Sequence, residues 1–132
     1  MPLLVKSLIK FDNGYTMDNL TSLAYIRFLN LAKAIRELND FPALSPMEES
    51  LLNFVALAWH ANKKISVSET MHRSPQMSPS SVHRHLKALR SKGFVRLQVD
   101  ERDNRIKFIS YTPLSEQYFS RLGQCLDVKD GA

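Results

Sequence analysis

The sequence predicts a mainly α-helical fold carrying one small β-hairpin, and three observations lead there. Apolar residues recur at helical spacing through most of residues 18–61 and again through 78–92. Two short stretches, FVRLQV (94–99) and KFISYT (107–112), alternate along the chain instead. The charged string DERDN (100–104) separates them and reads as the tip of an antiparallel pair.

The 132 residues suit one domain, or one with an appendage, and a hydrophobic content of 44% is enough for a packed core. No apolar run approaches the ~18 residues of a membrane span. The densest, LLNFVALAW (51–59), is short and contains Asn53. Lys6 and Lys10 interrupt the start of the chain, which therefore lacks the shape of a signal peptide. A cytoplasmic location without a membrane partner is expected. The single cysteine, Cys125, rules out an internal disulfide and a cysteine-based zinc site.

Residues 3–15 admit an arm, a short strand or a helical turn before the turn signal Asp12-Asn13-Gly14. A helix is expected from Asp18, with Leu20, Leu23, Ala24, Leu31, Ala34, Ile35 and Leu38 on one stripe. Tyr25, Ile26, Phe28 and Leu29 are apolar off that stripe. A helix apolar over more than one face is buried on more than one side. Its second partner is either the core of a monomer or another subunit. The subunit is the reading taken here, with Leu20, Leu23, Leu31 and Ile35 as dimerisation residues.

At FPALSPMEE (41–49), Ser45 is an N-cap, Pro46 suits the first helical position and Glu48 completes a capping box. That helix should run to about Ala61 with Leu51, Leu52, Val55, Leu57, Ala58 and Trp59 largely inward, and end at Asn62-Lys63-Lys64. Ile65 is expected as a single paired strand residue. Ser66 or Ser68 would cap a short helix through Glu69 and Met71, which Pro75 stops. In MSPSSVHRHLKALRSKGFV (77–95), Ser78 is the next N-cap and Pro79 the first helical residue. Val82, Leu86 and Leu89 form one narrow core stripe, and Gly93 reads as the left-handed C-cap, with Phe94 packing back on Leu89. Val95, Leu97 and Val99, with Ile106, Phe108 and Ser110, are taken as the paired faces of the hairpin. Thr112-Pro113 opens a last helix carrying Leu114, Tyr118 or Gln117, Arg121, Leu122 and Cys125, and the tail DVKDGA is expected to fray.

The net charge is +5, and its distribution says more than its size. Residues 1–71 are balanced, whereas 72–107 carry nine basic residues against three acidic ones. A localised positive field is the footprint of a nucleic-acid surface, which gains affinity by releasing phosphate counterions. The plainer reading is a solvated basic face. Two helices joined by a tight connection and followed by a hairpin make a winged helix-turn-helix, whose second helix enters a major groove.

Two stretches carry a resemblance to the multiple-antibiotic-resistance regulator (MarR) family of bacterial transcription factors. SPSSVHRHLKALRSKGFV (78–95) resembles the family's recognition helix, with its polar start, Leu-x-x-Leu core and Lys-Gly exit. VDERDNRIKFISYT (99–112) is similar to the family's wing, commonly Asp-x-Arg-Asp-x-Arg followed by a short strand. Asp100, Arg102, Asp103 and Arg105 match at that spacing. The match spans about residues 44–112. The chain departs from the pattern at Glu101, where Pro is usual, at Asn104, where Arg is common, and in the HRSPQM connection (72–77).

The resemblance implies residues 1–43 as arm and dimerisation helix, 44–112 as the DNA-binding domain and 113–132 as a C-terminal helix and tail. It implies a homodimer on double-stranded DNA, and a small, often phenolic or lipophilic, effector that releases the DNA. Tyr15, Tyr25, Phe28 and Trp59 are aromatic candidates for lining the effector's site, although core packing explains them as well.

On this reading, Arg84 recognises a base or a phosphate, since a guanidinium can bind guanine O6 and N7 together. Ser78, Ser80, Ser81 and the helix start bind phosphate or base edges, and His83 and Lys87 add secondary contacts. Arg102 or Arg105 enters the flanking minor groove, with Asp100 and Asp103 holding the arginines by charge-assisted pairs. In the plainer reading these charges only neutralise one another in a solvated turn.

No cofactor or metal is expected. His83 and His85 point to different faces, and His60 and His72 lack a carboxylate or thiol at ligand spacing. Cys125 reads as a packed thiol, and Met47, Met71 and Met77 as core filler. With no phosphate loop, nucleophile elbow or paired carboxylates, an enzyme is not expected. The alternative is a winged-helix module for protein interaction, or for plasmid or phage replication.

Overall fold

The computed structural model describes residues 19–74 and 77–126. The expectations for the arm, Asp18, Pro75 and the tail after Leu126 lie outside these residues. The described elements are α1 (Leu20–Arg36), α2 (Pro46–His60), α3 (Val67–Arg73), α4 (Pro79–Ser91), β1 (Val95–Val99), β2 (Lys107–Tyr111) and α5 (Pro113–Gln124). The chain divides into two compact units. The larger spans residues 39–120, and the smaller takes in α1 and the end of α5.

Local chemistry sets most boundaries in the larger unit. Ser45 accepts a hydrogen bond from Glu48 N–H while the Glu48 carboxylate accepts from Ser45 N–H, which is the capping box expected at the start of α2. Ser66, not Ser68, does the same with Glu69 at α3. α2 ends where Asn62 adopts a left-handed φ of 58°, with Asn62 N–H bonded to Trp59 O and Lys63 N–H to Ala58 O. α4 ends the same way at Gly93, φ 88°: Gly93 N–H reaches Arg90 O and Phe94 N–H reaches Leu89 O. Thr112 and Ser115 cap one another at the start of α5, and the Thr112 hydroxyl donates to Gly93 O at 2.7 Å, tying that helix to the α4–β1 corner.

The core lies under α2, α4 and the hairpin. Leu51, Leu52, Val55, Val82, Leu89 and Phe94 are fully buried and Leu86 nearly so. Phe41 and Phe94 each stand edge-on to Tyr118 at 5.3 Å, an arrangement favoured by the ring quadrupoles. Leu57 departs from expectation. At 71% exposed it points away from this core, and Ala58 and Trp59 are only half buried. At about 100° per residue Leu57 falls nearly opposite the mean direction of Leu51, Leu52 and Val55, and the interior takes the Leu51–Leu52–Val55 side.

The hairpin register corrects a second expectation. Val95 pairs with Tyr111, Leu97 with Ile109 and Val99 with Lys107. The face of Val95, Leu97 and Val99 is therefore shared with Ile109 and Tyr111. Phe108 and Ser110 lie on the opposite face, paired with Gln98 and Arg96, and Ile106 falls in the loop before β2. β2 is held on its other edge as well. Ile109 N–H donates to Ile65 O, the isolated bridge pairs Ser66 rather than Ile65 with Phe108, and the Trp59 indole N–H donates to Ile109 O at 2.9 Å.

In the smaller unit, Asn19 caps α1 by accepting from Thr21 and Ser22 N–H. Only part of the expected stripe is buried. Of that stripe Leu23 is inside and Ile35 half buried, whereas Leu20 (56%), Ala24, Leu31 (40%), Ala34 and Leu38 are exposed; Ala32, which lies outside the stripe, is buried.

One half-buried charge pair makes a prediction. Lys92 Nζ donates to Glu48 Oε1 at 2.6 Å and to Ala43 O at 2.8 Å. Burial acts to raise the Glu48 carboxyl, but the Lys92 hydrogen bond, the Ser45 N–H and the positive field of Lys92 and His85 outweigh it, leaving it below its ordinary 4.5. A carboxyl depressed by folding binds fewer protons in the fold than in the unfolded chain. Its stabilisation is therefore present above about pH 4.5 and lost as pH falls through the lower folded value. Glu48→Gln should cost about 1 kcal/mol at pH 7. In urea titrations at pH 7, 5 and 3 the gap from wild type should close at the acid end. A gap that persists at pH 3 would assign the cost to shape rather than charge.

Candidate nucleic-acid interface

α4 owes its position to the core stripe. With Val82, Leu86 and Leu89 buried, helical geometry puts Ser80, Arg84 and Lys87, spaced i, i+4, i+7, directly outward. All three are exposed, as are His83 and Arg90 on one flank. Arg84, Lys87 and His83 have no hydrogen bond or ion pair among the described residues, so their donors are open to a partner. The start of the helix is polar too. Ser78 Oγ accepts from Ser81 N–H and meets Ser80 Oγ at 3.3 Å. Ser81 turns toward the protein, where its carbonyl and hydroxyl contact His85 Nδ1 at 2.8 and 3.3 Å. His85 is thereby tied to its own helix, which leaves His83 as the outward histidine.

The loop between β1 and β2 is built from its two aspartates. Asp103 holds Arg105 in a bidentate pair, Nε to Oδ1 at 3.0 Å and Nη2 to Oδ2 at 3.1 Å, and also accepts Arg105 N–H. The guanidinium lowers the Asp103 carboxyl below its usual range, and the carboxylate in turn raises Arg105. Asp100 has another role than the expected ion pair. Its Oδ2 accepts the backbone N–H groups of Arg102 and Asp103 at 3.2 and 3.0 Å. A short carboxylate two and three residues upstream reaches these amides more readily than a guanidinium at the loop tip. Arg102 is left exposed and free of an ion pair among the described residues, while Arg105 is 90% exposed along its side chain although paired.

The fold adds a cation that the sequence reading missed. Lys64 Nζ stands 5.3 Å from the centre of the Phe108 ring. It borders a cleft of about 420 Å3 with Gln98, Asp100, Glu101, Arg102 and Phe108. Lys64 lies far from the wing in sequence, and the pairing of Ile65 and Ser66 with Ile109 and Phe108 brings it there.

The other candidates do not assemble into a site. Among the described residues, no group of three or more His, Cys, Asp or Glu could hold a metal ion. No described helix is long and apolar enough to cross a membrane. Cys125 is half buried, with its Sγ 3.6 Å from Arg121 O.

No family model matches the chain, and no curated protein matches it. Solved structures do. The transcriptional regulator Tm0710 from Thermotoga maritima aligns over 85% of this chain and 72% of its own, with a TM-score of 0.61 at 14% identity. A variant of MepR from S. aureus, bound to an oligodeoxyribonucleotide, covers 89% of this chain and 80% of its own, with a TM-score of 0.64 at 17% identity. The heme sensor protein PefR from Streptococcus agalactiae, in complex with heme, covers 83% and 70%, with a TM-score of 0.54 at 17% identity. All three are regulators of the family that the sequence resembles. The likeness establishes a shared winged-helix fold.

Proposed function

We propose that the chain is a sequence-specific transcriptional regulator that binds double-stranded DNA as a homodimer, with α4 in the major groove and the tip of the hairpin in the flanking minor groove. The observation that carries this is the face of α4. Ser80, Arg84 and Lys87 stand outward, Arg84 and Lys87 with donors free among the described residues, on the side opposite a packed stripe and on the fold of DNA-binding regulators. A helix anchored that firmly presents its outer side chains rigidly, as base readout requires. The MepR variant with its bound oligodeoxyribonucleotide supports the same use of the fold.

Asp103 and Asp100 divide the wing's work on this reading. Asp103 aligns Arg105, and Asp100 closes the loop that presents Arg102. Dimerisation falls to α1, whose Leu20 and Leu31 sit three turns apart on one exposed side, with Ile35 half buried beside them. Leu23, next to Leu20 on the helix, is already covered within the chain. A small-molecule effector that releases the DNA completes the reading, in keeping with PefR's complex with heme. No enzymatic step is involved, and the cytoplasm is the expected location.

Selection from a pool of random duplexes near physiological salt, comparing wild type with Arg105→Ala, tests this. Wild type should enrich a palindrome with half-site centres about 34 Å apart. Arg105→Ala should keep the half-sites and lose preference in their A·T flanks, with affinity down about tenfold. Failure of the wild type to enrich any sequence would end the regulator reading.

A further inference from the structure

The connection between α2 and α3 sets a cation on the flank of the hairpin. Ile109 N–H donates to Ile65 O at 2.9 Å and Ser66 pairs antiparallel with Phe108, so this stretch lies against the outer edge of β2. Side chains alternate along an extended backbone, which puts Lys64 and Ser66 on the face of Phe108. Ile65 and Ser66 are buried and hold that backbone in place, whereas Lys64 is exposed. Its Nζ lies 5.3 Å from the centre of the Phe108 ring and has no hydrogen bond or ion pair among the described residues. The ring's quadrupole steadies the ammonium there while its N–H donors stay open.

Lys64 and the hairpin tip wall the cleft of about 420 Å3, and two further donors line it. Arg102 is exposed and has no ion pair among the described residues. Gln98 accepts the Ser110 hydroxyl on Oε1 at 3.1 Å, which leaves its amide NH2 open. Two carboxylates line the cleft as well, and they differ. Asp100 is engaged, with Oδ2 accepting the N–H groups of Arg102 and Asp103. Glu101 is exposed and has no ion pair among the described residues. The cleft thus gathers three donors, two of them cationic, beside one unengaged carboxylate.

We propose that this cleft seats a backbone phosphate of the DNA strand beside the minor groove, with Lys64 as its main anchor and Glu101 as an opposing charge that holds affinity down. The seat rests on the regulator reading, since without bound DNA it has no occupant. A minor groove is about 6 Å wide, so a hairpin tip inserted into it has a phosphate strand against each flank. Lys64 stands on one of those flanks, contributed from outside both the recognition helix and the hairpin. An ammonium is a compact point charge, suited to a phosphate rather than to the paired acceptors of a base edge. Glu101 lines the same space, and its carboxylate repels the anion that Lys64 attracts.

Fluorescence anisotropy on the selected palindrome and on a scrambled duplex, from about 50 to 200 mM salt, tests this. Lys64→Gln should weaken binding to both duplexes alike, by about tenfold, because phosphate contacts carry no sequence information. With two copies per dimer, the slope of log affinity against log salt should become shallower by about 2. Lys64→Arg keeps the charge and should stay within about twofold of wild type. Glu101→Gln should tighten binding about threefold. Lys63→Gln removes the same charge one residue away, outside the cleft, and should move the slope by less than half as much as Lys64→Gln. An unmoved slope for Lys64→Gln, an equal loss from Lys63→Gln, or no gain from Glu101→Gln, with wild type binding normally, would each overturn the inference alone. A wild type that binds no duplex would overturn the regulator reading and the seat together.

Discussion

Arg84→Ala should abolish sequence preference while leaving the protein folded and still able to bind DNA weakly. The side chain is exposed and makes no bond among the described residues, so its removal opens no cavity and strands no partner. A bidentate guanidinium–base contact discriminates by about 1–3 kcal/mol per site. The proposed homodimer would lose two such contacts, so affinity for the selected palindrome should fall by roughly 2–6 kcal/mol, close to the non-specific level. Arg84→Lys separates charge from fork geometry, because the ammonium keeps a phosphate contact without the planar pair of donors. It should retain the salt dependence of wild type and still lose most of the preference. Fluorescence anisotropy on the palindrome and on a scrambled duplex, across salt, reads both. Full discrimination by Arg84→Ala would move the reading head to another part of the surface.

Phe94→Ala should be the most damaging core change. The ring is fully buried, stands edge-on to Tyr118 at 5.3 Å, and follows the Gly93 cap by one residue. Phe→Ala in a packed interior costs about 3–5 kcal/mol through lost transfer energy and the cavity left behind, a large share of a typical 5–15 kcal/mol of stability. Phe94→Leu refills much of that volume and should cost less, about 1–2 kcal/mol. Urea unfolding followed by far-UV circular dichroism gives both values. Near-equal losses would mean that the edge-on contact, not the volume, is what Phe94 supplies.

The parts of this fold that sequence reveals are those whose causes are local. The caps at Ser45, Ser78 and Gly93 depend on residues within four or five positions, and each is seen where the composition puts it. The α4 stripe was equally plain, because Val82, Leu86 and Leu89 are the only large apolar residues of that helix and stand on one side. The errors arise where a choice needs a distant partner. IKFISY is apolar in both phases, Ile106 and Phe108 in one and Ile109 and Tyr111 in the other, and only docking against Ile65 and Trp59 selects the second. Leu57 fails for a similar reason, since α2 is apolar around more than half its girth and the partner decides which side is covered. In the candidate interface, spacing singled out the wing's charges but not which backbone amides Asp100 would cap. Lys64 had no sequence signal at all.

The double grip on β2 has a consequence during synthesis. The buried side of α2 packs against α4 and β2, and Trp59 finds its acceptor at Ile109, 50 residues further along the chain. A ribosome adding about 5–20 residues per second needs roughly 3–10 s to cover that distance. Residues 78–111, by contrast, contact one another at short range, and their helix and hairpin form within about 10 µs of being available. The nascent chain therefore carries Leu51, Leu52 and Val55 uncovered for seconds, then closes over them almost at once. That interval is when an unfinished copy is most open to sticking to its neighbours.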